Sequence, residues 1–182
     1  MILTLEQALL IARQTLSEGA ARGFLPLEAN RDRLFVAPAP GLLWARMHAA
    51  QEFGIGPAEP EAMGATSGFT AMVRLVPEMK RRGIRVLPGG DYGFPYNVIG
   101  HNARDLQIFV EHFGFTPAET LRAATLEGGE LMGMQVGRIA PGWLADLLLV
   151  DGDPMTDITV LQDTARICGV MQGGRWHRLE HS

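Results

Sequence analysis

Cysteine is almost absent from this sequence: Cys168 is the single one in 182 residues. No internal disulfide can therefore brace the fold, and a reducing compartment is compatible with it. Cys168 lies among apolar residues in ARICGVMQGG and reads as a small core residue of a strand rather than a reactive thiol. Long apolar runs are missing too. None reaches the roughly 18 residues needed to span a bilayer, and the opening MILTLEQALLIARQTL has Glu6 early and no cationic leader. The expectation is a soluble, cytoplasmic protein with no membrane partner. Nor is there a basic stripe. The formal net charge is −4, and the short runs Lys80-Arg81-Arg82 and Arg31-Asp32-Arg33 read as solvated helix ends or loops. Nucleic acid is accordingly not an expected partner. Finally, the sequence has no HxH, HExxH, CxxC, GxSxG elbow or P-loop. No compact set of metal ligands or nucleophile motif is therefore visible at characteristic spacing.

What is present is a globular composition, 47% hydrophobic and 20% charged, with room for one domain or one domain plus a small appendage. Leu5, Ala8, Leu9, Ala12 and Leu16 recur at helical spacing over residues 1–18, with Thr4 and Gln7 resembling a capping box. Residues 33–37 read as a buried strand stopped by Pro38 and Pro40, and residues 42–53 as a helix closed by Gly54 and Gly56. A helix is predicted over 67–82, kinked or broken at Pro77, with Gly83 as its C-cap. It leads into a strand over 84–87. Helices follow over 105–113 and from Thr116, where Thr116, Pro117 and Glu119 form a strong start signal. Strand alternating with helix predicts a parallel α/β architecture. After Gly133 the texture becomes β-rich, with a buried strand over 145–150 and a hairpin of 166–172 and 175–178 around Gly173-Gly174. Two parts are expected, residues 1–133 and 134–182.

Functional groups in parallel α/β folds gather at the C-terminal ends of strands. Asp91, in LPGGDYGFPYN directly after the strand over 84–87, is so placed. A carboxylate there can contact a metal or accept a proton from activated water, and it can equally cap a Gly-Gly-Asp turn. His101, beside Asn102 and Arg104, either binds substrate or caps the next helix. Tyr92, Phe94 and Tyr96 either line a pocket or pack the loop onto the rim. His48 reads as a packed or surface residue of a helix, and His112 as lying on an exposed helix side. His177 and His181 read as incidental.

Four segments, in order, resemble the C-terminal part of the amidohydrolase superfamily, closest to its imidazolonepropionase-like and Xaa-Pro-dipeptidase-like branch. GGDYG is similar to the GTD-type motif that ends the last barrel strand. GHNARDLQIFVEHFGFTPAETLRAATLEGGELMGM is similar to the family's histidine loop and final barrel helices. VGRIAPGWLADLLLVDGDPMTDITVL is similar to its hallmark segment GxIxPGxxADLxxxDGDPLxDI, and CGVMQGGRWHR to its closing strands. The resemblance implies an α/β fold: the C-terminal part of a (β/α)8 TIM-like barrel plus part of a small β-sandwich. It implies a hydrolase of C–N bonds in a small amide or dipeptide-like substrate, using water activated by one or two divalent metal ions, zinc by expectation. Asp91 takes the role of metal contact and proton shuttle, and His101, with Tyr92 and Asn102, that of substrate contact. At His101 the sequence departs from the family's HGxNAREL, since Asn102 follows directly where the family has glycine. The family's HxH, its bridging lysine or glutamate and its later histidines belong upstream. Most metal ligands are therefore expected outside this chain, in a complementing chain or another part of the enzyme, with homo-oligomers also open. The alternative is a catalytically inactive remnant that serves as a binding or assembly module.

Overall fold

The computed structural model describes residues 2–3, 24–56 and 64–179. Apart from Ile2–Leu3, the helix expected over 1–18 lies outside these residues. Ile2–Leu3 form strand β1, which pairs in parallel with β2 (Phe35–Val36), and β2 pairs in parallel with β3 (Arg85–Val86). Between β2 and β3, among the described residues, run the crossover elements α2 (Pro40–His48), a short 3-10 turn (Ala50–Phe53) and α3 (Ala65–Arg81). A short helix, α1 (Leu25–Ala29), precedes β2. After β3 come α4 (Arg104–His112), α5 (Pro117–Arg122), a π-helical segment (Ala123–Glu127) and α6 (Gly128–Met132).

The alternation of side chains along a strand divides the core into two. Val36 and Val86 point to one face and join Leu34, Ile84 and the buried faces of α2, α3 and α4. Phe35 and Leu87 take the opposite parity and pack on Ala123 and Leu131 from the π segment and α6. Arg85 shares their parity, with its guanidinium 3.8 Å from the centre of the Phe35 ring. Helices thus cover both faces of the parallel sheet, as the strand–helix alternation predicts.

Two local expectations are refined, and of the kink or break expected at Pro77 the break does not occur. α3 runs through Pro77 without a break. Phe69, Met72, Val76 and Met79 are buried against the sheet along its length, and this packing outweighs the hydrogen bond that proline removes. The helix from Thr116 is interrupted at Ala123–Glu127 by the π turn, which no residue pattern marked.

The C-terminal part is an antiparallel sheet of β4 (Leu147–Val150), β5 (Ile167–Gln172) and β6 (Arg175–Leu179), in that order. Gly173 and Gly174 close the β5–β6 hairpin, both at positive φ, as a two-residue hairpin turn requires. β4 is not the buried strand expected: Leu148 and Leu149 are 60% and 50% exposed. Among the described residues, both neighbours of β4 along the chain are loops, and it pairs on one side only, with β5. Cys168 lies on β5, half-buried. Among the described residues, no helix is long and apolar enough to cross a membrane.

Candidate active site

The register of β2 and β3 brings two chain ends together. Val36 pairs with Val86, and the Leu87 amide donates to the Val36 carbonyl at 2.9 Å. The loops that follow, residues 37–39 before α2 and residues 88–103 before α4, therefore start side by side at the C-terminal edge of the sheet. Each loop contains a non-glycine residue in the left-handed region: Ala39 at φ 52° and Asp91 at φ 53°. That conformation is uncommon outside glycine, and aspartate is among the residues that tolerate it best.

The Asp91 turn is held by its neighbours. Asn97 is fully buried, and its side-chain amide donates to the Gly90 carbonyl at 2.9 Å and the Asp91 carbonyl at 3.0 Å. The Gly93 amide donates to the Asn97 carbonyl, closing the loop on itself. Phe94 and Tyr96 stack at 5.8 Å, and the Tyr96 hydroxyl accepts from Arg46 Nε at 3.1 Å, which ties the loop to α2. The side chain of Asp91 is exposed.

Beside this turn lies a buried carboxylate that the sequence did not single out. Asp105, in the first turn of α4, is 1% exposed. It accepts hydrogen bonds from the backbone amides of Gly41 and Gly89, and its Oδ1 stands 3.2 Å from the Tyr92 hydroxyl. Burial pushes its pKa up to about 6. The bonds from Tyr92 and Gly41, the nearby Arg104 charge and the bond from Gly89 oppose that rise. Burial likewise raises the Tyr92 phenol, reinforced by the Asp105 charge. The Tyr92 hydroxyl also lies 3.1 Å from the His101 carbonyl, so its one proton serves two acceptors.

Tyr92, Asn102 and Asp105 line a largely apolar cavity of about 470 Å³, together with Leu87, Gly89 and Leu148. The structure thus places Tyr92 and Asn102 in one cavity wall, while the Asp91 and His101 side chains are not in that wall. His101 is exposed, with Nδ1 3.1 Å from Arg104 Nη2, and Asn102 Oδ1 accepts from the Gly100 amide at 3.1 Å. His112 departs from the exposed position expected: its ring packs edge-on to Phe69 at 5.3 Å and beside Trp44 at 5.5 Å. His48 is exposed and stacks on Trp44. Among the described residues, no three His, Cys, Asp or Glu side chains cluster to hold a metal ion. Asp91 alone does not make a metal centre, so these residues do not by themselves fit one.

The sequence profile of the amidohydrolase family matches residues 67–177, more than half of the chain. This chain belongs to the amidohydrolase family. Among curated relatives, ochratoxinase from Aspergillus niger is 34% identical over 79 residues, which are 42% of this chain and 16% of that protein. Solved structures include an amidohydrolase (27% identical, TM-score 0.72, covering 86% of this chain and 37% of that one). A prolidase complexed with N-methylphosphonate-L-proline is 26% identical with a TM-score of 0.72, over 85% of this chain and 37% of that one. The crystal structure of A. niger ochratoxinase shares the fold, with 20% identity and a TM-score of 0.65, over 80% and 32%. The chain spans about a third of the length of these structures.

Proposed function

We propose that this chain contributes to a hydrolase that cleaves C–N bonds in small amide or dipeptide-like substrates. In this reading residues 1–133 are the last strands and helices of a (β/α)8 barrel, and residues 134–182 are strands of a small β-sandwich beside it. The observation that carries the proposal is the Asp91 turn. It lies at the C-terminal end of a parallel strand, fixed by Asn97 in a left-handed conformation, with its carboxylate free to solvent. That is where a parallel α/β fold places reacting groups. Ochratoxinase and prolidase relatives support an amide-type substrate, and the soluble, cytoplasmic setting stays part of the proposal.

Asp91 acts here as proton shuttle. Its carboxylate takes a proton as water oxygen bonds to the carbonyl carbon, then gives that proton to the nitrogen as the C–N bond breaks. Tyr92, His101 and Asn102 bound the substrate side of the loop. A divalent metal, zinc by expectation and with Asp91 as one contact, would need its remaining ligands from beyond the described residues, whether from elsewhere in a longer enzyme or from a complementing chain.

The test is release of amine from N-acyl amino acids and Xaa-Pro dipeptides by the complete enzyme, assembled with whatever chain supplies the remaining ligands. Cleavage abolished by a chelator and restored by zinc is the expected result. Ester cleavage without amide cleavage, or turnover indifferent to chelation, would overturn the proposal. No turnover at all would favour a non-catalytic assembly module.

A further inference from the structure

Two glycines on different elements are required by one pair of side chains. A Cβ at Gly41, in the first turn of α2, would lie 2.5 Å from Asp105 Oδ1 and 2.8 Å from the Tyr92 hydroxyl oxygen. A Cβ at Gly90, next to Asp91, would lie 2.3 Å from Tyr92 Cε2 and 2.7 Å from Asp105 Oδ2. Neither glycine has positive φ, so the requirement is space and not backbone conformation. The Asp105–Tyr92 pair is therefore wedged between the start of α2 and the end of β3, and both elements touch it with their backbones.

We infer that Asp105 is the positioning residue of the Asp91 turn. Its carboxylate fixes the turn from both sides: the Gly89 amide donates to it two residues before Asp91, and the Tyr92 hydroxyl meets it one residue after. The Gly41 amide holds the same carboxylate against α2, so the turn is set relative to the neighbouring strand's loop as well. Asn97 supplies the other half of the frame, through the Gly90 and Asp91 carbonyls. Along residues 89–92, donors to Asp105 at both ends thus flank two acceptors for Asn97. A carboxylate can accept from all three donors through its two oxygens; an asparagine amide in the same place turns one oxygen into a donor and faces at least one of them with an N–H. Asp105 does not reach the reacting atoms. It acts through the direction in which Asp91 points, and this inference rests on the shuttle reading of Asp91.

The experiment uses three variants, Asp105→Asn, Tyr92→Phe and Asp91→Asn, with two readouts. The first is the backbone amide resonances of Gly41, Gly89, Asp91 and Gly93 in the 182-residue chain, which need no activity. Asp105→Asn is expected to shift all four, and Tyr92→Phe mainly Asp91 and Gly93. The second is turnover by the assembled enzyme. Asp105→Asn is expected to lower kcat roughly 10²-fold, the scale of a ~1 Å misplacement, with KM nearly unchanged. If Asp105→Asn does not fold, Tyr92→Phe carries the test through the same resonances and a smaller kcat loss. Unmoved Asp91 and Gly93 resonances in a folded variant, or a loss confined to KM or to stability, would overturn the inference. Near-normal turnover by Asp91→Asn would sink the shuttle reading instead, whatever the amide resonances of the Asp105 variant show.

Discussion

Asp105 carries a charge at neutral pH in a place that opposes it, and the sign of that opposition can be read from stability. Its folded pKa of about 6 lies above the ordinary 3.8, so the native state holds a proton that the unfolded chain has already released. The contribution is complete below about pH 4 and is lost as pH rises through 6, amounting to about 3 kcal/mol at most. Glu78 and Glu119 have the opposite sense. Arginine bonds hold Glu78 at about 2, while Lys80 and Thr116 hold Glu119 there, so their contributions fade as the solution is acidified below 4.5. Urea midpoints of the wild type and Asp105→Asn, measured from pH 4 to 8, separate the two. The wild type should lose ground relative to the variant as pH rises, and parallel curves would show Asp105 to be unperturbed. The place of Asp91, in a turn after a strand, was legible because a strand followed by Gly-Gly-Asp announces itself locally. Asp105 was not. An aspartate in a first helical turn looks the same whether it faces water or sits between Gly41 and Gly90, and those glycines lie 64 and 15 residues before it.

The helix start at Thr116 was read correctly from its local signal, and features set by distant packing were not. The Thr116-Pro117-Ala118-Glu119 start forms a full capping box: Thr116 Oγ1 accepts from the Glu119 amide, and Glu119 accepts from the Thr116 amide. Lys80 adds a 2.6 Å ion pair to the same Glu119 and bonds the Gly114 carbonyl, tying the end of α3 to the start of α5. Thr116→Ala should cost about 1 kcal/mol in chemical denaturation, the usual worth of such a cap. No measurable change would mean that the Lys80 contact alone fixes this corner. The π turn at Ala123–Glu127 had no such signature. It lies against Gly137, where a Cβ would come within 2.3 Å of the Thr125 backbone, so its form is coupled to a residue ten positions beyond it. At Pro77 the break did not occur, because the cost of proline in a helix is local and the burial of α3 is not.

For the whole molecule, the parallel α/β order, the β-rich tail and the family were legible from pattern and motif. The described residues place three parallel strands and three antiparallel ones, and the family's profile, over residues 67–177, takes in β3 of the first group and the second group nearly to its end. What pattern could not supply was which face of each strand is covered, and by what. β4 reads as a core strand from LLLV, yet Leu148 and Leu149 are exposed, and among the described residues β5 alone pairs with it. The same dependence on distant parts governs function: Asp91 is fixed by this chain, while a metal centre is not formed by the described residues. The most direct test of the central claim is the turnover of Asp91→Asn against wild type in the assembled enzyme, on one amide substrate at saturating concentration. The account predicts a fall of roughly 10²–10⁴-fold in kcat, with the protein still folded. Turnover within a few fold of wild type would contradict it and leave Asp91 a turn residue.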